Sequence, residues 1–243
     1  MTEALLNHFY VTPDRATFQA AAEALPRFGA LEKRTTVRKD VTYTGLYLYG
    51  ERTYLELLSP GSAPFGASSG IAYGVEAAKA LPPVCRALRS GKVEEIFRGE
   101  VPWFRRCRPE APLEGLTEWV MEYVPEFFGG FHPDLPPARP GTSRADALTR
   151  YAASCGKLRE RDEGLFEDVV SLEVALAPPA AERWNARDLR VVGADVRVTA
   201  ASPGGRTGIL AAHLRLRRDA GKATERVGST TLSLDGRSAV WRF

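Results

Sequence analysis

Side chains able to hold a metal ion or move a proton interrupt apolar strands at three places. They are His8 in Leu6-Asn7-His8-Phe9-Tyr10-Val11, Glu56 in Tyr54-Leu55-Glu56-Leu57, and Glu122 in Trp119-Val120-Met121-Glu122-Tyr123. A carboxylate in such a setting costs several kcal/mol unless it is paired, protonated or metal-bound. One imidazole and two carboxylates make a facial set for a divalent ion, with positions left open for water or substrate. Without a metal, either glutamate can acquire a raised pKa and serve as general acid or base. Plainer readings compete: a histidine in an apolar strand is more often a satisfied core residue, and a glutamate there can face the wet side of a sheet.

Alternation groups these residues with neighbours on one strand face. Leu6 and Tyr10 accompany His8, Tyr54 and Leu58 accompany Glu56, and Val120 and Val124 accompany Glu122. Tyr43, Tyr47 and Tyr49 share a face of one strand, an aromatic wall suited to an apolar or aromatic ligand, although β-propensity alone enriches tyrosine in strands. Tyr10, Tyr47, Tyr54 and Val120 are the candidate substrate contacts, and Glu56 and Glu122 the candidate catalytic groups. His132 reads as a turn residue in a linker and His213 as structural. Cys85, Cys107 and Cys155 form no CxxC pair, so each reads as a small buried hydrophobe rather than part of a disulfide framework.

The elements that must position these groups follow from periodicity. Leu5 to Val11 is a strand, Phe18, Ala21, Ala22 and Leu25 recur at helical spacing up to Pro26, and period-two segments then run to Leu58, giving β-α-β-β-β. A Gly/Ser/Pro-rich link precedes a second series, from Ile71-Ala72-Tyr73-Gly74-Val75 through a proline-weakened helix at Ala77 to Leu88, to the strand Thr117 to Val124. The internal match is best at the last strands, where Thr53-Tyr54-Leu55-Glu56-Leu57 aligns on Trp119-Val120-Met121-Glu122-Tyr123. Residues 129–165 read as a Gly/Pro-rich linker and a helix beginning after Ser143. Residues 166–243 read as a third βαβββ-like module, left to pack on the first pair or on another subunit.

The paired βαβββ arrangement, with His8 in a first strand and Glu56 in a last strand, resembles the vicinal oxygen chelate superfamily of glyoxalase I, extradiol dioxygenases and bleomycin-resistance proteins. The resemblance covers residues 5–126 and its motifs are short. It implies an α+β fold in which residues 1–128 close a glyoxalase-like half-barrel around a divalent metal (Fe, Mn, Zn or Mg), held here by His8, Glu56 and Glu122. Ala72 stands where a fourth ligand would be. The activity implied is an isomerase, lyase or dioxygenase in which the ion polarises substrate oxygens. The missing ligand and the aromatic wall keep two alternatives open: a metal-free binding or antibiotic-sequestering protein, in a resistance or secondary-metabolism setting, and a metal-free cyclase or isomerase using a glutamate.

Composition excludes other classes. Basic and acidic residues number 33 and 30, a net charge of +3 without a basic stripe, which disfavours a nucleic-acid surface. No apolar run reaches the roughly 18–20 residues that span a bilayer, and the first residues lack a signal-peptide pattern. The expectation is a cytoplasmic protein with a small-molecule partner, as a monomer or homodimer.

Overall fold

A computed structural model describes residues 2–38, 41–61, 66–77, 79–128 and 139–243. His132 and most of the expected linker lie outside them. The first module comprises β1 (Thr2–Val11), α1 (Arg15–Ala24), β2 (Ala30–Val37), β3 (Thr42–Tyr49) and β4 (Tyr54–Leu58). Asp14 caps α1 by accepting from the Thr17 amide at 2.7 Å, and Pro26 ends the α-helical hydrogen bonding. The second module repeats the order as β5 (Ser69–Gly74), α2 (Leu81–Ala87), β6 (Glu94–Arg98), β7 (Val101–Cys107) and β8 (Thr117–Tyr123).

Each last strand lies parallel beside its own first strand, and the modules join through antiparallel pairing of β1 with β5. The resulting order, β2-β3-β4-β1-β5-β8-β7-β6, is a pseudo-twofold sheet curled into a half-barrel, as the resemblance implied. Its faces differ in chemistry. Leu46, Leu48, Leu55, Leu57, Ile71 and Val120 point to the convex side, whereas Tyr43, Tyr47, Tyr49, Tyr54, Trp119, Met121 and Tyr123 line the concave side.

Between the modules and the last unit run α3 (Arg144–Ser154) and α4 (Leu158–Glu163). The last unit contains β9 (Phe166–Leu176), α5 (Pro178–Asn185), β10 (Leu189–Val192), β11 (Asp195–Ala200), β12 (Gly208–Leu216), β13 (Lys222–Val227), β14 (Thr230–Asp235) and β15 (Ser238–Arg242). It opens strand-helix-strand as expected, but its pairing is its own. The parallel neighbour of β9 is β11 rather than the last strand, β12 to β15 extend the sheet antiparallel, and β10 leaves to pair with the first half of β1.

This six-stranded sheet shares one apolar core with the convex face of the half-barrel, so the third unit packs on the first pair within the chain. The junction is specific at the β3–β4 turn. The Asp168 carboxylate accepts from the Arg52 and Thr53 amides at 2.8 Å, and the Thr53 hydroxyl receives the Val169 amide at 2.7 Å. Gly50 is required there, because a Cβ would lie 2.3 Å from the Glu167 carbonyl oxygen.

Cys85 on α2 and Cys107 on β7 form a disulfide, which corrects the reading of both as free hydrophobes; Cys155 is free. Residues 22 apart show no pairing signal in sequence, because only the packing of α2 brings Cα atoms to 5.7 Å. Such bonds are rare in reducing compartments, so this pair does not favour the cytoplasmic expectation. Replacing both cysteines with serine is expected to lower stability by roughly 3 kcal/mol in urea unfolding. Unfolded wild type titrating with three thiols instead of one would refute the bond. No helix among the described residues is long and apolar enough to cross a membrane.

Candidate functional site

A β-bulge aims the histidine. Between Leu6 and His8 the register of β1 on β5 shifts, leaving Asn7 as the extra residue. Leu6 therefore faces the convex core while Asn7 and His8 both reach the concave side, correcting the simple alternation that put Leu6 and His8 together. Asn7 Oδ1 lies 2.8 Å from His8 Nδ1 and accepts from the Tyr123 hydroxyl at 3.3 Å. That network assigns the proton to Nδ1 and leaves the Nε2 lone pair free. The imidazole stacks on Tyr54 at 4.2 Å and meets the Trp119 edge at 5.4 Å, and burial lowers its pKa to about 3, keeping it neutral.

Glu56 completes a pair with His8. It lies across from Tyr10 on β1 and Tyr47 on β3, fully inside the half-barrel. Its Oε2 is 4.0 Å from His8 Nε2 and its Oε1 has no hydrogen-bond partner. Burial pushes its pKa up to about 7, against the downward pull of the Tyr47 hydroxyl and the Arg34 guanidinium. The Tyr47 hydroxyl faces the carboxyl without completing a hydrogen bond of good geometry. Arg34, unremarked in the sequence, lies 4.1 Å above the Tyr47 ring and donates to Glu32 at 2.8 Å and to Tyr49 at 3.2 Å.

The groove has a closed end and an open one. At the closed end α3 seals the concave face: Tyr151 stacks on Tyr49 at 5.8 Å and accepts a hydrogen bond from the Trp103 indole. The helix is held in place by Ser143, which caps it, and by the buried Arg144, which binds Glu76 and the Leu6 carbonyl. Toward the other end Arg38 and Arg106 line both the groove and the shallow cleft outside it, and Tyr43 and Phe104 also line the groove. The free volume among these side chains is about 30 Å³, room for one or two water molecules. Sequence reasoning missed Tyr151, since nothing local says which surface a helix after a linker will cover.

The other expected site residues divide. Tyr47 and Tyr54 line the groove and Tyr10 belongs to the same concave cluster, its hydroxyl donating to the Ala67 carbonyl. Val120 faces the convex core. Glu122 does not join His8 and Glu56: it lies on the Val120 face of β8, paired with Arg105 at 2.8 Å. The registers explain why. His8 pairs with Tyr54 on one side, and Ala72 pairs with Trp119 on the other, so the structural counterpart of Glu56 is Met121. The sequence alignment was one residue out of step, and one step inverts every face.

The concave face thus offers an ion His8 Nε2 and Glu56, with Ala72 and Met121 at the pseudosymmetric positions and a guanidinium alongside. This donor set does not fit the three- or four-ligand centre that the resemblance implied. A separate acidic group, Glu51, Glu167 and Asp168, gathers within 4.8 Å at the sheet junction. Its charge is offset by Arg215 and Arg217, and Asp168 already accepts the turn's hydrogen bonds.

Residues 6–243 match the family of unknown function DUF5829. The chain belongs to this family. No curated protein matches it. Among solved structures, the DUF5829 chain is similar to a hypothetical protein from Staphylococcus aureus, with TM-score 0.50 and 10% identity over 93% of this chain and 96% of that one. It also matches methylmalonyl-CoA epimerase in complex with methylmalonyl-CoA and NH4+, with TM-score 0.32 and 17% identity over 51% of this chain and 96% of the epimerase. At 10% identity the likeness to the Staphylococcus aureus protein concerns the fold alone.

Proposed function

We propose that the concave groove is a metal-independent acid–base site of isomerase or cyclase type, in which Glu56 takes a proton from an activated carbon of a small molecule and returns it. The observation that carries this reading is the Glu56 carboxyl, buried, unpaired at Oε1 and held near pKa 7, facing the Nε2 lone pair of a neutral histidine. A base with that pKa is half ionised at neutral pH, where proton transfer in both directions is easiest. The Tyr47 hydroxyl, buried without a hydrogen-bond partner, is the donor for an oxygen that gains charge as the carbon is deprotonated. His8, oriented by Asn7 and Tyr123, accepts a hydrogen bond from the substrate through Nε2.

Deuterium wash-in tests this. In deuterated buffer, phenylpyruvate and 1,3-dicarbonyl compounds followed by proton NMR are expected to exchange faster with the protein than without it, equally with and without EDTA. Exchange restored only by an added divalent ion would return the site to metal chemistry. Binding of these compounds without accelerated exchange would leave a sequestering protein.

A further inference from the structure

We infer that Arg34 is a positioning residue for this chemistry: its guanidinium lies on the Tyr47 ring and makes the Tyr47 hydroxyl a stronger donor to the oxygen that gains charge. The role given to Tyr47 rests on the acid–base reading, whereas the coupling of Arg34 to Tyr47 does not. The register of β2 on β3 sets Arg34 opposite Gly45, two residues before Tyr47 and on the same face. With no side chain at Gly45, the Tyr47 ring lies over the backbone there, where a Cβ would come 2.9 Å from the hydroxyl and 3.0 Å from the ring edge. Arg34, reaching across the strand pair, places its guanidinium carbon 4.1 Å from the centroid of that ring. Glu32, accepting at 2.8 Å, and the Tyr49 hydroxyl, at 3.2 Å, hold the guanidinium in place. Glu32 offsets part of the charge without separating the cation from the ring. The Arg34 Nε is buried and makes no hydrogen bond; the cation faces the Tyr47 ring, with the Tyr151 ring at 5.8 Å.

The Tyr47 hydroxyl is buried without a hydrogen-bond partner, facing the Glu56 carboxyl and the Thr36 hydroxyl. Burial, then Glu56 and Tyr43, raises its pKa, and Arg34 is the cation that opposes them. A cation on the ring face stabilises whatever negative charge the phenol oxygen takes on. When the proton of a substrate C–H bond passes to Glu56, the electron pair moves onto the carbonyl oxygen and the Tyr47 O–H donates to it. Arg34 lowers the energy of that arrangement in proportion to the charge shared with the phenol. Its effect therefore runs through the Tyr47 hydroxyl and vanishes without it.

A double-mutant cycle in the deuterium wash-in assay tests this on the full chain. Arg34→Gln is expected to slow wash-in about tenfold or more in the wild-type background and less than about twofold in Tyr47→Phe, where the hydroxyl it acts through is gone. Arg34→Lys, which keeps a cation for the ring, should recover most of the rate, a rescue that a purely structural role does not give. If Arg34→Gln does not fold, adding Glu32→Gln removes the carboxylate it would leave unpaired, and the doubly neutral protein carries the test. A second measurement needs no substrate. In Glu56→Gln protein with a fluorinated tyrosine in place of Tyr47, Arg34→Gln should raise the midpoint of phenol ionisation, followed by absorbance, by about one pH unit or more. Equal slowing of wash-in in both backgrounds, Arg34→Lys as slow as Arg34→Gln, or an unmoved midpoint overturns the assignment. A raised midpoint in a protein that shows no wash-in keeps the coupling of Arg34 to Tyr47 and loses the acid–base reading.

Discussion

Glu56→Gln is expected to slow deuterium wash-in by about 10²–10⁴-fold while leaving the fold intact, since the amide keeps the shape of the carboxyl and cannot take a proton. Wild-type exchange should rise with pH through about 7, as the base ionises. The same substitution should also change how stability depends on pH. The folded state raises the Glu56 pKa from 4.5 to about 7, so the carboxyl binds its proton more tightly folded than unfolded. Its stabilising contribution is therefore complete below pH 4.5 and is lost as pH rises to about 7, a change of about 3 kcal/mol. Glutamine removes that slope, so the variant should gain on wild type by about this amount between those pH values in chemical denaturation. His8, present in both proteins, drops out of the difference. A stability gap that stays constant with pH would show that Glu56 is not a strained carboxyl, and undiminished wash-in would remove it from the chemistry.

Arg187→Ala is expected to cost about 3–5 kcal/mol, because it leaves the Glu118 carboxylate buried without its charge partner. Glu118 lies on the convex face of β8, 5% exposed, where Arg187, following α5, reaches it and the Tyr73 hydroxyl donates at 3.5 Å. Burial raises the Glu118 pKa even against the pull of Arg187. The guanidinium also covers the Trp184 ring at 3.2 Å from its centroid, joining the last unit to the half-barrel. Adding Glu118→Gln should recover part of the loss, since a neutral amide is cheaper to bury than an unpaired charge. Thermal unfolding within a degree or two of wild type for Arg187→Ala would mean the pair contributes little to holding the two sheets together.

Much of the half-barrel was legible because its signals are local. Periodicity two, the helical spacing of Phe18 and Ala21, and the turn at Gly50 each depend on neighbours in sequence, and together they determine both modules. So does the tyrosine wall: Tyr43, Tyr47 and Tyr49 must share a face once β3 is a strand. His8 and Glu56 were visible for a related reason, as polar groups interrupting apolar strands.

What the tertiary structure decided was mostly a matter of single-residue steps and of distant contacts. The bulge at Asn7 sends Leu6 and His8 to opposite faces, and no local pattern marks it, because either face of β1 would be buried. Glu122 looked equivalent to Glu56 until the β5–β8 register made Met121 the counterpart, so of the three expected ligands only His8 and Glu56 meet. The cover over the groove by Tyr151, the Cys85–Cys107 bond and the departure of β10 to pair with β1 depend on segments far apart in the chain. Composition and periodicity determine which residues are buried and on what kind of element. Register and packing determine which of them meet, and in a strand one residue of slip is enough to separate a carboxylate from its partner.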